Sequence, residues 1–378
     1  MASRTIEASA VRRLRAPLLR WYDRAKRDLP WRRTKDPYAI WVSEVMLQQT
    51  TVAAVIPYWE RFLERFPDAA TLAGSREDDV LALWSGLGYY RRAQALRRGA
   101  IAVMEHHSGR VPENAEALIG LPGIGRYTAG AIASVAFGRE TPVVDGNVKR
   151  VFSRLFAMRR GLGPAAERTH WSIAETLVPG MRPGDLNQAV MELGATVCTP
   201  RAPRCDICPV ARSCRAFALG TPTAFPARKQ TTPVRLVPVV VAWIEQRGRV
   251  LLERRQPDAL LRGTWDLPAA APVAGEAPGR AVVRALSDRH GLRVRAGRVI
   301  FRAKHSILSS RLVINVVEAA PVAACPKRAA LRWVELRGLD EVAISGATSK
   351  IARAVVAQRR SHDLLSSASS GSRGRVKA

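Results

Sequence analysis

The chain has 378 residues and 47% hydrophobic content, which suits two globular cores better than one. Its 60 Lys and Arg against 32 Asp and Glu leave a net charge of +28 and a pI near 11.3. That balance points to a polyanionic partner, nucleic acid rather than an acidic membrane, because no basic amphipathic anchor stands out.

The alternative is an Arg-rich composition, since Lys occupies only eight positions. The longest near-continuous apolar run, Val237 to Ile244, is strand-sized, so no membrane span is expected. The N-terminus MASRTIEASAVRRLRAPLLR is basic but has no secretory apolar core, and Glu7 argues against an organelle transit peptide. A cytoplasmic, nucleoid-associated protein of bacterial type is expected.

In chain order, residues 11 to 220 read as almost entirely helical. Trp41 to Phe66 carries apolar positions at helical spacing between Pro37 and Pro67, with Pro57 a potential break. Further helices are expected near 76–84, 90–106, 114–119, 126–137, 147–157, 165–178 and 185–194. The proline-rich Gly220 to Val234 reads as a domain linker, dividing a helical domain at 1–219 from a second domain at 235–360. Beyond the linker the pattern shifts to alternation. Leu236–Glu245, a turn at Gln246-Arg247-Gly248 and Arg249–Arg254 form a hairpin. Strands at Val299–Phe301 and Leu312–Glu318, with helices at Arg280–Arg289 and Ile351–Arg359, complete a small α/β domain. From Ser361 to Ala378 the Ser-rich basic tail reads as disordered.

The stretch Leu118 to Arg150 carries most of the meaning. Gly123 and Gly125 bracket one apolar residue at the start of an Ala-rich helix. Such a turn presents backbone N–H groups to a phosphate, a helix–hairpin–helix that grips a DNA backbone without reading bases. Asp145 follows, a carboxylate in an apolar loop. Glu44 is a second one, in the otherwise apolar WVSEVML, where desolvation favours the neutral acid. Gln48 lies one turn on and shares its face, with Leu47 beside them. Cys198, Cys205, Cys208 and Cys214 are spaced C-x6-C-x2-C-x5-C, which suits one compact metal centre, zinc or iron–sulfur, in a reducing compartment.

This spacing, following a helix–hairpin–helix and an aspartate, resembles the endonuclease III superfamily of DNA glycosylases. The likeness runs from about Trp21 to Cys214. Its carriers are RDLPWR (27–32), WVSEVMLQQT (41–50), GLGYYRRA (86–93), LPGIGRYTAGAI and VDGNVKRV, and within the superfamily they look most like the adenine DNA glycosylase (MutY) branch. The resemblance implies a two-lobed helical fold whose four cysteines hold a 4Fe–4S cluster, with Arg201 and Arg204 on the cluster loop against phosphate. Strand-cleaving members carry a lysine nucleophile where this chain has Tyr127. A phenol forms no Schiff base, so a monofunctional enzyme is expected.

The resemblance further implies that Glu44 protonates adenine at N7 and later activates water, and that Asp145 stabilises the sugar cation. Tyr127 and Asn147 position these groups, although Asn147 also suits a helix cap. Arg27, Leu29, Trp31, Leu47 and Glu192 would surround the extruded adenine, with Gln48 among the substrate-binding residues. Gln49, Thr50, Leu87 and Tyr89 would fill the stack and touch the opposite base, with Tyr90 the rival of Tyr89.

The second domain resembles the MutT-like (Nudix-fold) module of these enzymes through LLRGTWDLPAA (260–270) and LRWVELRGLDEVAIS (331–345). Arg284 to Arg289 lacks the paired glutamates of a Nudix hydrolase. The lesion-reading loop departs from the family's Phe-Ser-His: it reads Ile307-Leu308-Ser309, so Ser309 or Ser310 would supply the hydroxyl. The expected partner is double-stranded DNA holding A opposite 8-oxoguanine or G, bound by a monomer. The rival readings are an endonuclease III-like lyase on oxidised pyrimidines and a catalytically silent mismatch binder.

Overall fold

The computed structural model describes residues 7–158, 163–227, 234–255, 263–307, 310–325 and 328–371. Two compact units emerge: 1–75 with 95–231, and 76–94 with 232–378. The stretch 76–94, which the sequence reading gave to the helical domain, thus belongs with the C-terminal unit.

The first unit is helical. One core joins Ala8–Arg12 and Arg15–Ala25 to Gly146–Leu155, Pro164–Leu177 and Pro183–Thr196, through Leu18, Tyr22, Phe152, Leu177, Leu186 and Leu193. The Pro37–Leu47 helix is buried on every side from Tyr38 to Met46. An apolar helix without a polar stripe has to be a core helix. Its start is secured by Pro37 and by Asp36, whose carboxylate accepts from the amides of Tyr38 and Ala39.

That helix ends at Leu47, and the next, Val52–Arg65, contains Pro57. The break therefore falls at Gln48–Thr51, where Gln49 is left-handed at φ 59°, and not at the proline. Pro57 costs one backbone bond, while Val55 and Phe62, both fully buried, hold the helix in place. Gln48 consequently leaves the face of Glu44; it is extended, and its amide reaches Thr128 Oγ1 at 3.4 Å. The expected linker is also partly packed. Phe225 is buried, and its carbonyl accepts from Arg154 Nε at 3.0 Å.

The second unit is a mixed sheet between helices. Its strands are β1 (Arg235–Gln246), β2 (Arg249–Arg254), β3 (Trp265–Asp266), β4 (Ala269–Ala270), β5 (Val294–Ile307), β6 (Ser310–Pro321) and β7 (Leu331–Glu335), with path order β3-β2-β1-β6-β5. β4 pairs with β1 and β7 with β2. The β1–β2 turn has Arg247 at φ 50° and Gly248 at φ 72°, the paired positive angles a two-residue hairpin needs.

β1 lies parallel to β6 and is buried on both faces: Val241 and Trp243 join one core, Val240, Ala242 and Ile244 the other. That explains why it reads as a continuous apolar run. The Pro278–His290 helix covers one face and the helix beginning at Gly346 the other. The latter continues to Gly371, where the Ser-rich composition had suggested disorder. Its first turns are anchored by buried Ile351, Ala352 and Val355, and adding residues to an existing helix costs far less than nucleating one.

Candidate active site

A cavity of about 200 Å³ in the first unit is lined by Arg27, Leu29, Trp31, Leu47, Thr50, Glu44, Tyr127, Asp145, Asn147 and Glu192. Gln48 does not line it, nor does exposed Gln49, which is expected in the stack and not in the pocket. Arg32, Ser43, Gln188 and Met191 do, and sequence reasoning missed them. Gln188 was discoverable, since it sits one helical turn before Glu192 and shares its face.

Glu44 is 8% exposed, and Tyr127 donates to its Oε2 at 2.7 Å. Burial drives the Glu44 carboxyl up to about 7; the Tyr127 hydrogen bond opposes this and the charge of Asp145 adds to it. Burial also raises Asp145, yet it accepts from the Val148 amide at 2.7 Å and from the Asn147 side chain at 2.8 Å, both of which favour its anion. Asp145 acts on Glu44 as a repelling charge. Of the two, Asp145 ionises first and Glu44 keeps its proton to neutral pH.

Asp145 is placed by being the N-cap of the Gly146–Leu155 helix. Asn147 is in turn held by Arg150 Nη2 at 2.8 Å, and Arg150 also donates to the carbonyls of Gly194 and Cys198 at 2.6 and 2.8 Å. Gly194 has to be glycine, since a Cβ there would come within 2.6 Å of Asn147 Cβ. Opposite the two carboxylates, Glu192 is buried and bound by Arg27 Nε at 2.7 Å and Arg32 Nη2 at 2.8 Å. Burial pushes Glu192 up, and these two guanidiniums outweigh it, holding the group below the usual carboxylate range. Trp31 is buried and packs edge-on against Trp59.

At the hairpin, Gly123 adopts φ 81° and sits so close to Ala95 that a Cβ would lie 2.6 Å from that residue's own. Gly125 is the N-cap of Arg126–Phe137, and no side chain caps that helix, which leaves first-turn N–H groups for an outside acceptor. Arg201 and Arg204 are exposed.

None of the five cysteines is in a disulfide. Among the described residues no three His, Cys, Asp or Glu side chains are arranged to hold a single metal ion. Cys198, Cys205, Cys208 and Cys214 are nonetheless half-buried neighbours. Burial, with the charge of the other cysteines, raises Cys205 and Cys214 and pushes Cys208 up to about 12. Arg154 donates to Cys198 Sγ at 3.2 Å. Four thiolates can coexist here only around positive charge, which a bound metal centre would supply.

Leu87 and Tyr89 lie in the second unit. Tyr90 is buried there, whereas Tyr89 is 41% exposed. Ser310 opens β6, paired with Ile307, while Ser309 lies outside the described residues.

Residues 42–175 match the HhH-GPD superfamily of base excision DNA repair proteins, and residues 239–354 match the NUDIX domain. The chain is 37% identical over 408 residues to the adenine DNA glycosylase of Mus musculus, spanning 92% of this chain and 78% of that one. It is 37% identical over 418 residues to that of Homo sapiens, spanning 93% and 76%. Among solved structures, a thermostable thymine-DNA glycosylase superposes with a TM-score of 0.52 at 31% identity, covering 56% of this chain and 98% of its own.

Proposed function

The chain belongs to the adenine DNA glycosylases of the helix–hairpin–helix repair superfamily, and from that premise we propose that it hydrolyses the N-glycosidic bond of adenine mispaired with 8-oxoguanine or guanine. The observation that carries this is the pair of carboxylates on one cavity, Glu44 buried with Tyr127 donating to it and Asp145 half-buried and bound by the Val148 amide and the Asn147 side chain.

Cleavage leaves negative charge on the departing purine and positive charge on the sugar. Glu44 hands its proton to N7 of adenine, which neutralises the leaving group. Asp145, held by the Val148 amide and the Asn147 side chain, faces the oxocarbenium ion and stabilises it where water is scarce. Adenine departs as the C1′–N9 bond breaks; Glu44, now ionised, then takes a proton from the water that adds to C1′, leaving an abasic site in an uncut strand. Two carboxyls of unequal acidity divide the work as they do in glycosidases. Arg27 and Glu192 offer donors and an acceptor to the base edge, and Leu29, Trp31 and Leu47 enclose its faces.

Gly123, Gly125, Arg201 and Arg204 hold the backbone of the duplex. Cys198, Cys205, Cys208 and Cys214 fit a 4Fe–4S cluster, which when bound supplies the positive charge that four thiolates need and ties the 198–214 loop together. The Nudix-fold unit reads the base opposite the adenine, with Ser310 at its lesion loop. The enzyme acts as a monomer on nucleoid DNA in the cytoplasm.

The test is single-turnover cleavage of a labelled duplex carrying A opposite 8-oxoguanine, with G:A and T:A controls, each with and without alkali. Breaks appearing only after alkali and fastest opposite 8-oxoguanine are expected. Breaks without alkali would indicate a lyase. Equal rates opposite 8-oxoguanine and G would remove the lesion reader and keep the chemistry.

A further inference from the structure

The stretch 76–94 belongs to the second unit although the chain on both sides of it belongs to the first. It carries Leu87 and Tyr89 on a turn with three left-handed residues, Gly86 at φ 101°, Gly88 at 71° and Tyr89 at 52°. A tyrosine in that region is strained unless its surroundings hold it there. They do: the Trp84 indole and Arg92 Nη2 both donate to the Gly88 carbonyl at 3.1 Å. The Arg92 guanidinium lies 5.5 Å from the Trp84 ring centre and 5.3 Å from that of Tyr89.

The base of this turn is fastened to one atom of the C-terminal unit. Tyr90 donates to the Ile344 carbonyl at 2.5 Å and Ser85 donates to the same oxygen at 3.1 Å. Asp78 adds an ion pair to Arg254 at 3.3 Å.

Ile344 is itself firmly placed. It bridges to Trp265, and the following residue, Ser345, donates its amide to buried Asp266. Asp266 also accepts from Thr348 at 2.7 Å and from Arg255 at 2.6 Å. One residue further, a Cβ added at Gly346 would meet the His305 ring at 3.6 Å, and Lys350 donates to the Lys304 carbonyl at 3.1 Å. Lys304 and His305 lie on β5, which runs on to Ile307, directly opposite Ser310. A continuous set of packed and hydrogen-bonded groups therefore joins the β5–β6 end to the Gly86–Tyr89 turn within one unit.

We propose that Tyr90 and Ser85 are positioning residues: through the Ile344 carbonyl they let the C-terminal unit set the turn that presents exposed Tyr89 to DNA. What the β5–β6 end binds opposite the adenine then biases how that turn enters the stack. This rests on the proposed function for its DNA consequence, though not for the clamp itself.

The experiment uses the full chain with its cofactor, as wild type, Tyr90→Phe and the double variant Ser85→Ala/Tyr90→Phe. Without DNA, hydrogen–deuterium exchange should quicken across 85–92 in the variants and stay unchanged across 343–349. With DNA, excision opposite 8-oxoguanine should fall on the order of fivefold, the equivalent of one neutral hydrogen bond, while excision opposite G stays within about twofold, inside the ordinary spread of single-contact effects. A 2-aminopurine placed at the target position should lose part of its fluorescence rise on binding.

Unchanged exchange across 85–92 in the double variant would overturn the clamp. Equal losses on both duplexes, accompanied by a lowered melting temperature, would reduce Tyr90 to a structural residue and overturn the coupling. A wild type that excises no adenine would fail the proposed function instead, and the exchange measurement would still decide the clamp.

Discussion

Replacing Glu44 by Gln should stabilise the protein, and by an amount that depends on pH. The carboxyl is buried in a helix with no polar stripe, and its folded value is raised from 4.5 to about 7. At about 1.4 kcal/mol per unit, ionising it in place costs about 3 kcal/mol. Below pH 4.5 the acid is neutral whether the chain is folded or not, so it exacts no penalty. Between 4.5 and about 7 the unfolded chain releases this proton while the folded one retains it, so stability falls as pH rises through that window. Above it the full penalty is present.

Gln keeps the shape and still accepts from Tyr127, but never ionises. Glu44→Gln should therefore melt with wild type at pH 4.5 and several degrees above it at pH 8, at roughly 2–4 °C per kcal/mol for a unit of this size. The assay is thermal or urea unfolding across that range. Asp145 is raised in both proteins and cancels in the comparison. A Glu44→Gln advantage that stays constant with pH would show that Glu44 carries no burial penalty, and the general-acid argument would fall with it.

Three further outcomes follow from the same geometry. Asp145→Asn removes the anion but keeps a side chain that caps equally well, so single-turnover excision should fall on the order of a thousandfold with the melting temperature scarcely moved. Tyr127→Phe deletes the hydrogen bond that lowers Glu44, so the alkaline limb of the pH–rate profile should move to higher pH; movement to lower pH would contradict the assigned donor. Changing both Arg201 and Arg204 to Ala should reduce the salt slope of DNA binding by about two, one for each lost phosphate contact, with the rate at saturating protein unchanged.

The residues that could be read from the chain were those whose own neighbours betray them. Glu44 stands out because WVSEVML offers no polar face to put it on, and the Arg247-Gly248 turn because only a few residue pairs tolerate two positive φ angles. What escaped depended on partners far away in sequence. Arg32 looks like one more surface arginine until Glu192, 160 residues later, supplies its charge partner. Pro57 has a strong local preference to interrupt a helix, and buried Val55 and Phe62 overrule it. The placement of 76–94 with the second unit turns on hydroxyls meeting a carbonyl more than 250 positions away, which no local pattern records.

Asp145 shows why the fold and the chemistry resist separation. The Val148 amide that makes it a helix cap also holds its carboxylate charged, while burial works in the opposite direction. A fully exposed aspartate would be an anion at no cost, but water would screen it from a developing sugar cation. One buried without donors would take up a proton and offer no charge at all. The cap position resolves the conflict: the N-terminus of the Gly146–Leu155 helix supplies fixed dipoles that favour the anion in a place where little water competes. Asn147 adds a second donor, and Arg150 holds Asn147 while bonding the carbonyl of Cys198. The cysteine loop therefore braces the Asp145 carboxylate through a chain of three hydrogen bonds, so this loop bears on how well Asp145 is placed.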